Sequence, residues 1–158
     1  MKKLFCLVVS ILLLVVSVNY AAAQTKEEVT ALVEQTKQDF EKNAFQTMAK
    51  IDKGDHPYKD IDNPSLYVFV LDTDLNLVAH FKTPIVGRNQ KGKPDSKGKM
   101  FRDEILAKAQ KDGTGWVDYH FENPKTKEIA HKNTFFKLAK GSNGVDYIVC
   151  CGMYYEEK

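Results

Sequence analysis

Apolar positions along this chain follow two different periods. From 25 to about 52, Val29, Val33, Thr36, Phe40, Asn43/Ala44, Thr47/Met48 and Ile51 return every three or four residues, with Lys26, Glu27, Glu34, Lys37, Asp39 and Lys42 between them. That spacing predicts one long helix with a single apolar face, stopped at Gly54. The face suits a helix laid on a sheet, and it also suits a dimer seam. Beyond the polar, proline-containing connector 55–64, the pattern changes to alternation or to short unbroken apolar runs bounded by turn residues. Segments 66–71, 77–81, 115–122, 129–139 and 145–155 predict five strands, with turns at 72–76, at Asn123-Pro124 and at Gly141-Ser142-Asn143-Gly144. Between the second and third strands, 82–99 is rich in Gly, Pro, Lys and Asp without a sustained period, so it predicts a long loop that ends in a short helix over 99–111. Long loops in compact domains tend to be functional.

Antiparallel hairpins preceded by a long helix and interrupted by a loop-helix insertion make an α+β domain. The expected architecture resembles the PAS type: a five-stranded antiparallel sheet with the long helix N-terminal and the insertion lying over the sheet.

Composition changes this picture mainly at the N-terminus. Lys2 and Lys3 precede an almost uninterrupted apolar run from Leu4 to Val18, and Ala21-Ala22-Ala23 follows. This is the layout of a signal peptide over residues 1–23, cleaved before Gln24, which leaves 24–158 as a single exported domain. An uncleaved anchor is the alternative, although the run is short for a span of about 20 residues. No cysteine stands where a lipid attachment would need one, so free periplasmic residence is the expectation. Without Lys2 and Lys3, the 23 basic residues fall to 21 against 21 acidic ones, and a formally neutral chain has no means of recruiting nucleic acid. Of the three cysteines, Cys6 goes with the leader. Cys150 and Cys151 are adjacent in a strand, point to opposite faces and read as packing residues, one of them buried.

Candidate chemistry concentrates in the stretch Gly115-Trp116-Val117-Asp118-Tyr119-His120-Phe121 and in Lys132. A charged amine among aromatic rings on the inner face of a small sheet is costly unless an anion meets it. With the turn centred between Lys125 and Thr126, Tyr119 stands opposite Lys132 on one face, and His120 opposite His131 on the other. A phenol and an ammonium so opposed would suit a carboxylate. The histidine pair has no third ligand at metal spacing and reads as a surface pair, so neither metal nor cofactor is expected. His56 lies in the polar connector and reads as exposed. His80 ends the second strand beside the long loop, where it serves either as a structural histidine or as a ligand contact. Arg102 shares a helix face with Ile105, Leu106 and Ala109, so its guanidinium either reaches a pocket or snorkels to solvent. Neither a nucleophile elbow nor a converging carboxylate pair is present, so no enzymatic activity is expected.

Leu66-Tyr67-Val68-Phe69-Val70-Leu71-Asp72, Ala79-His80, Val86-Gly87-Arg88-Asn89, Lys99-Met100-Phe101, Gly115-Trp116-Val117-Asp118-Tyr119, Asn123-Pro124, Lys132 and Gly152-Met153-Tyr154 occur in an ordered series. In order and spacing this series resembles the single Cache sensor domain of bacterial chemoreceptors and histidine kinases, over about residues 27–156. The resemblance implies an extracytoplasmic pocket for a small carboxylate of the acetate, propionate, pyruvate or lactate class. It also implies that His80, Trp116, Tyr119 and Lys132 line the pocket, together with Arg102 and Phe69. Two departures from the family pattern are Phe81, where proline often follows the histidine, and Asp95-Ser96-Lys97-Gly98, preceded by a lysine-rich run. With no second span before Glu156-Glu157-Lys158, the chain is expected to act as a free binding module. It would work with a membrane receptor, kinase or transporter, and could form a homodimer through the long helix. A protein-interaction module without a small ligand is the alternative.

Overall fold

The computed structural model describes residues 24–155, so the signal-peptide reading lies outside the described residues. Helix α1 spans Lys26–Lys53. It opens with a capping box in which Thr25 and Glu28 satisfy each other's backbone N–H, and it closes at Gly54, whose φ of 72° suits glycine. Strands β1 (Val68–Asp72) and β2 (Leu77–His80) form a hairpin, and a 3-10 turn (Thr83–Ile85) starts the long loop. Then come α2 (Phe101–Asp112), β3 (Thr114–Glu122), β4 (Ile129–Lys140) and β5 (Asp146–Tyr155). The five strands make one antiparallel sheet in the order β2-β1-β5-β4-β3. The α+β, PAS-like architecture expected from the sequence is the one observed.

Both faces of the sheet are covered, which explains the unbroken apolar runs of the central strands. Val29, Val33, Phe40, Ala44 and Ile51 of α1 pack on Val68, Val70, Val149 and Cys151. On the other face, Phe101, Ile105 and Ala109 of α2 pack with Phe69, Leu71, Phe136, Ile148 and Cys150. Cys150 and Cys151 thus face opposite sides as expected, but both are buried and both are free thiols, which corrects the expectation of one. A strand covered on both faces leaves neither neighbour exposed.

The single long helix predicted by periodicity is broken in the middle. Asn43 leaves helical geometry (φ −158°, ψ 90°), and its side chain caps the second half by accepting from Gln46 N–H at 3.0 Å. The bond that would join Ala44 N–H to the Phe40 carbonyl is taken over by the β4–β5 turn. Ser142 N–H donates to the Phe40 carbonyl at 2.9 Å, and Ser142 Oγ accepts from Ala44 N–H at 3.0 Å. The kink is therefore a side-chain insertion into the helix ladder, and it ties α1 to the start of β5.

Candidate ligand-binding site

The face of the sheet away from α1 is not completely filled. A cavity of about 250 Å³ lies between β1, β2 and β3 below, the 82–100 loop above, and α2 at the side. Its floor carries Tyr67, Phe69, Leu77, His80, Tyr119 and Phe121. The loop contributes Ile85, Arg88, Gln90 and Lys93, and α2 contributes Phe101 and Arg102. No aspartate or glutamate lines it. Strand alternation accounts for the floor, since Tyr67 and Phe69, and likewise Tyr119 and Phe121, are two apart and share a face. The loop is pinned by Asp95, which is buried and accepts from the backbone N–H groups of Lys97, Lys99 and His120 at 2.8–2.9 Å. Burial pushes this carboxyl up, but the three N–H donors outweigh that and hold it below its ordinary value.

The predicted register holds: Tyr119 pairs with Lys132, and His120 with His131. The contact inferred from it does not. Tyr119 hydroxyl bonds Thr134 Oγ1 at 2.9 Å, and its ring stacks on Phe101 at 3.7 Å. The Lys132 ammonium runs toward the sheet centre instead and donates to Tyr67 hydroxyl at 2.7 Å. It sits 4.1, 5.6 and 4.7 Å from the ring centres of Tyr67, Phe69 and Tyr154. Gly152 makes this path available, because a Cβ there would overlap Lys132 Cε and Thr134 Oγ1. Lys132 is fully buried and stands behind Tyr67, one layer below the cavity surface.

Tyr67 hydroxyl is 3.2 Å from Tyr154 hydroxyl, which donates to the Glu122 carbonyl at 3.0 Å. The proton chain from Lys132 therefore runs through two phenols to a backbone oxygen and meets no carboxylate. Burial pushes the Lys132 ammonium down to about 7, with the charges of Arg102 and Lys82 acting the same way. Burial also holds the Tyr67 and Tyr119 phenols well above their ordinary range, so both are neutral. His80 Nδ1 accepts from Lys82 N–H at 2.8 Å, which leaves the ring proton on Nε2. Burial, then the charges of Lys132, Lys82 and Arg102, lower His80 to about 3, so the ring is a neutral donor. Arg102 lies over the Phe101 ring at 4.1 Å and donates to the Lys93 carbonyl at 3.5 Å. It makes no salt bridge with a described carboxylate.

Five of the six residues inferred from sequence gather around this cavity: Phe69, His80, Arg102 and Tyr119 in its wall, and Lys132 behind it. Trp116 is a correction. It lies on the opposite face, 5.1 Å from Phe135, packed against the α1 side of the core, with Lys26 over its ring. Tyr119 lies three positions after Trp116, an odd step that places their side chains on opposite faces. The sequence reading missed Tyr67, Arg88, Gln90, Lys93, Phe101 and Phe121. Tyr67 carried a signal, being two residues before Phe69. The loop residues carried little, because an isolated bridge between Asn76 and Asn89 is what lays Arg88 and Gln90 beside the cavity. His131 Nε2 meets Asp118 Oδ1 at 3.3 Å.

A PAS-like sheet with a donor-rich cavity under its loop-helix insertion defines a ligand-binding sensor-type domain. Residues 13–157 match the family Single Cache domain 2, and the chain belongs to that family. Cache domains of chemoreceptors bind small ligands on the extracytoplasmic side of the membrane. Several solved structures share the fold. One, a "periplasmic sensor domain of chemotaxis protein", has a TM-score of 0.62 and 21% identity, covering 82% of this chain and 90% of its own. A second, titled for carboxylic acid recognition by a Cache chemosensory domain, has a TM-score of 0.64 and 19% identity, covering 82% and 92%. A methyl-accepting chemotaxis protein from Vibrio parahaemolyticus has a TM-score of 0.57 and 18% identity, covering 81% of each chain. No curated protein sequence matches the chain. Among the described residues, no helix is long and apolar enough to cross a membrane.

Proposed function

We propose that this domain is a periplasmic receptor for a small carboxylate and that it works with a membrane receptor, kinase or transporter. The observation that carries the reading is a partly open cavity walled by cations and neutral donors, with a buried ammonium behind it that has no counter-anion among the described residues. A carboxylate entering the cavity meets the Arg102 guanidinium, the His80 Nε2–H and, by rotation of its O–H, the Tyr67 phenol that Lys132 polarises. Charge-assisted hydrogen bonds of this kind contribute about 1.5–3 kcal/mol each. Phe69, Phe101 and Phe121 supply apolar walls for a short carbon chain. The carboxylic-acid specificity named for one structural relative supports the same reading. A homodimer through the outer face of α1, where Phe45 stands 68% exposed, belongs to it as well.

The test is a thermal-shift screen of the purified protein against two- to four-carbon carboxylates, amino acids and amines. A ligand at about 100 times its Kd adds about 2.7 kcal/mol, a shift of several degrees. The expected result is a shift with a small acid that disappears in Arg102→Gln and in Lys132→Met. If no acid shifts the protein, the carboxylate reading fails, and the module is one that binds another protein.

A further inference from the structure

Positive charge is concentrated on the outer surface of the 82–100 loop. Residues 88–99 hold Arg88, Lys91, Lys93, Lys97 and Lys99 against one acid, Asp95, whereas the whole chain has 23 basic and 21 acidic residues. All five cations are exposed. Asp95 is buried, and its carboxylate is given over to the N–H groups of Lys97, Lys99 and His120. Two tight turns gather the cations: Lys93 N–H donates to the Gln90 carbonyl at 3.2 Å, and Gly98 N–H to the Asp95 carbonyl at 3.1 Å. Both turns are tied down, the first by Gly92 N–H on Asp103 of α2 at 3.0 Å, the second by Lys99 Nζ on the Asp118 carbonyl of β3 at 2.6 Å. Among the described residues, no salt bridge joins Arg88, Lys91 or Lys93 to a carboxylate. The loop is therefore a preformed cationic surface, and at its end Met100 stands 45% exposed.

We infer that this loop is a docking surface for an anionic lipid membrane, with its cations on the phosphate headgroups and Met100 at the interface. Four of the five cations are lysines. These are point charges on flexible stems, which suit a diffuse layer of headgroups, whereas geometric recognition of one fixed carboxylate or phosphate favours arginine. Protein interfaces are anchored by aromatic side chains and arginine, and residues 88–100 contain no Trp, Tyr or Phe. Basic residues beside an exposed apolar one are the composition of a surface that lies on a bilayer. The inference concerns the outside of the loop, so it stands independently of what fills the cavity beneath.

The experiment is co-sedimentation of the purified protein, without residues 1–23, with vesicles of equal parts phosphatidylglycerol and phosphatidylcholine, and with vesicles of phosphatidylcholine alone. Each is run at about 0.1 M and about 0.5 M salt, because screening weakens exposed charges. The protein should pellet with the anionic vesicles at the lower salt, and should stay in solution at the higher salt or with phosphatidylcholine. Lys91→Gln/Lys93→Gln/Lys97→Gln should weaken binding about a hundredfold, at about fivefold for each lysine near the surface. The same charge taken from α1 by Lys42→Gln/Lys50→Gln/Lys53→Gln should change it less than about fivefold, since that helix covers the other face of the sheet. All six lysines are exposed, so both variants leave the core untouched. The inference is overturned if anionic vesicles fail to pellet the protein at the lower salt, if phosphatidylcholine alone does so equally, or if the two triple variants behave alike. Soluble polyglutamate that binds as tightly as the anionic vesicles also overturns it, in favour of an acidic protein partner.

Discussion

Replacing Lys132 by methionine should make the ligand-free protein more stable, and by an amount that depends on pH. The amine is fully buried, donates to Tyr67 at 2.7 Å, and faces three aromatic rings but no carboxylate. Its ordinary pKa of 10.5 falls to about 7 in the fold. At about 1.4 kcal/mol per pH unit, that gap corresponds to at most about 5 kcal/mol of destabilisation. Below pH 7 the amine is protonated in the folded and the unfolded chain alike, and the fold carries the whole penalty. Between 7 and 10.5 only the unfolded chain holds the proton, so stability rises with pH through that window. Methionine keeps the apolar stem of the side chain and removes the ammonium, and replacing even paired buried charges by apolar residues stabilises by about 1–4 kcal/mol. Urea unfolding of both proteins at pH 6, 8 and 10 reads the difference, and titrating groups that do not feel Lys132 cancel between them. Lys132→Met should be the more stable protein at pH 6, and its advantage should fade toward pH 10. A gap that is constant with pH, or a methionine variant less stable at pH 6, would refute the description of Lys132 as a buried, uncompensated ammonium.

Two further outcomes test how the site is tied to the rest of the fold. Ser142→Ala removes the acceptor of Ala44 N–H at the α1 kink and should cost about 1–2 kcal/mol, with faster hydrogen exchange at Ala44; an unchanged exchange rate would mean that Asn43 alone holds the kink. Gly152→Ala places a methyl group where Lys132 and Thr134 now lie, and should lower the urea midpoint by the equivalent of about 1–3 kcal/mol; wild-type stability in that variant would show that the Lys132 path is freely adjustable.

The element sequence and the sheet were legible because they follow from local periodicity. The α1 stripe, the β3–β4 register through the Asn123-Pro124 turn, and Gly54 as the helix stop all depend on neighbours close in sequence. The kink at Asn43 had a local signal, Asn43 followed three residues later by Gln46, but its other half comes from Ser142, nearly a hundred residues away. The candidate site divides the same way. That Lys132 is buried and lacks an acidic neighbour could be argued from its strand position. Where its amine points could not, because that depends on the missing side chain of Gly152 in β5 and on Tyr67 just before β1. Trp116 was misplaced because the family resemblance was carried over without the parity of the strand, which sets it on the α1 face. Arg88, Lys93 and the cavity itself are tertiary facts. An aperiodic loop has no face until Asp95 and the Asn76–Asn89 bridge fold it over the sheet. Sequence alone therefore determined the strands, the helices and the buried amine, while packing between distant segments decided which groups stand beside it.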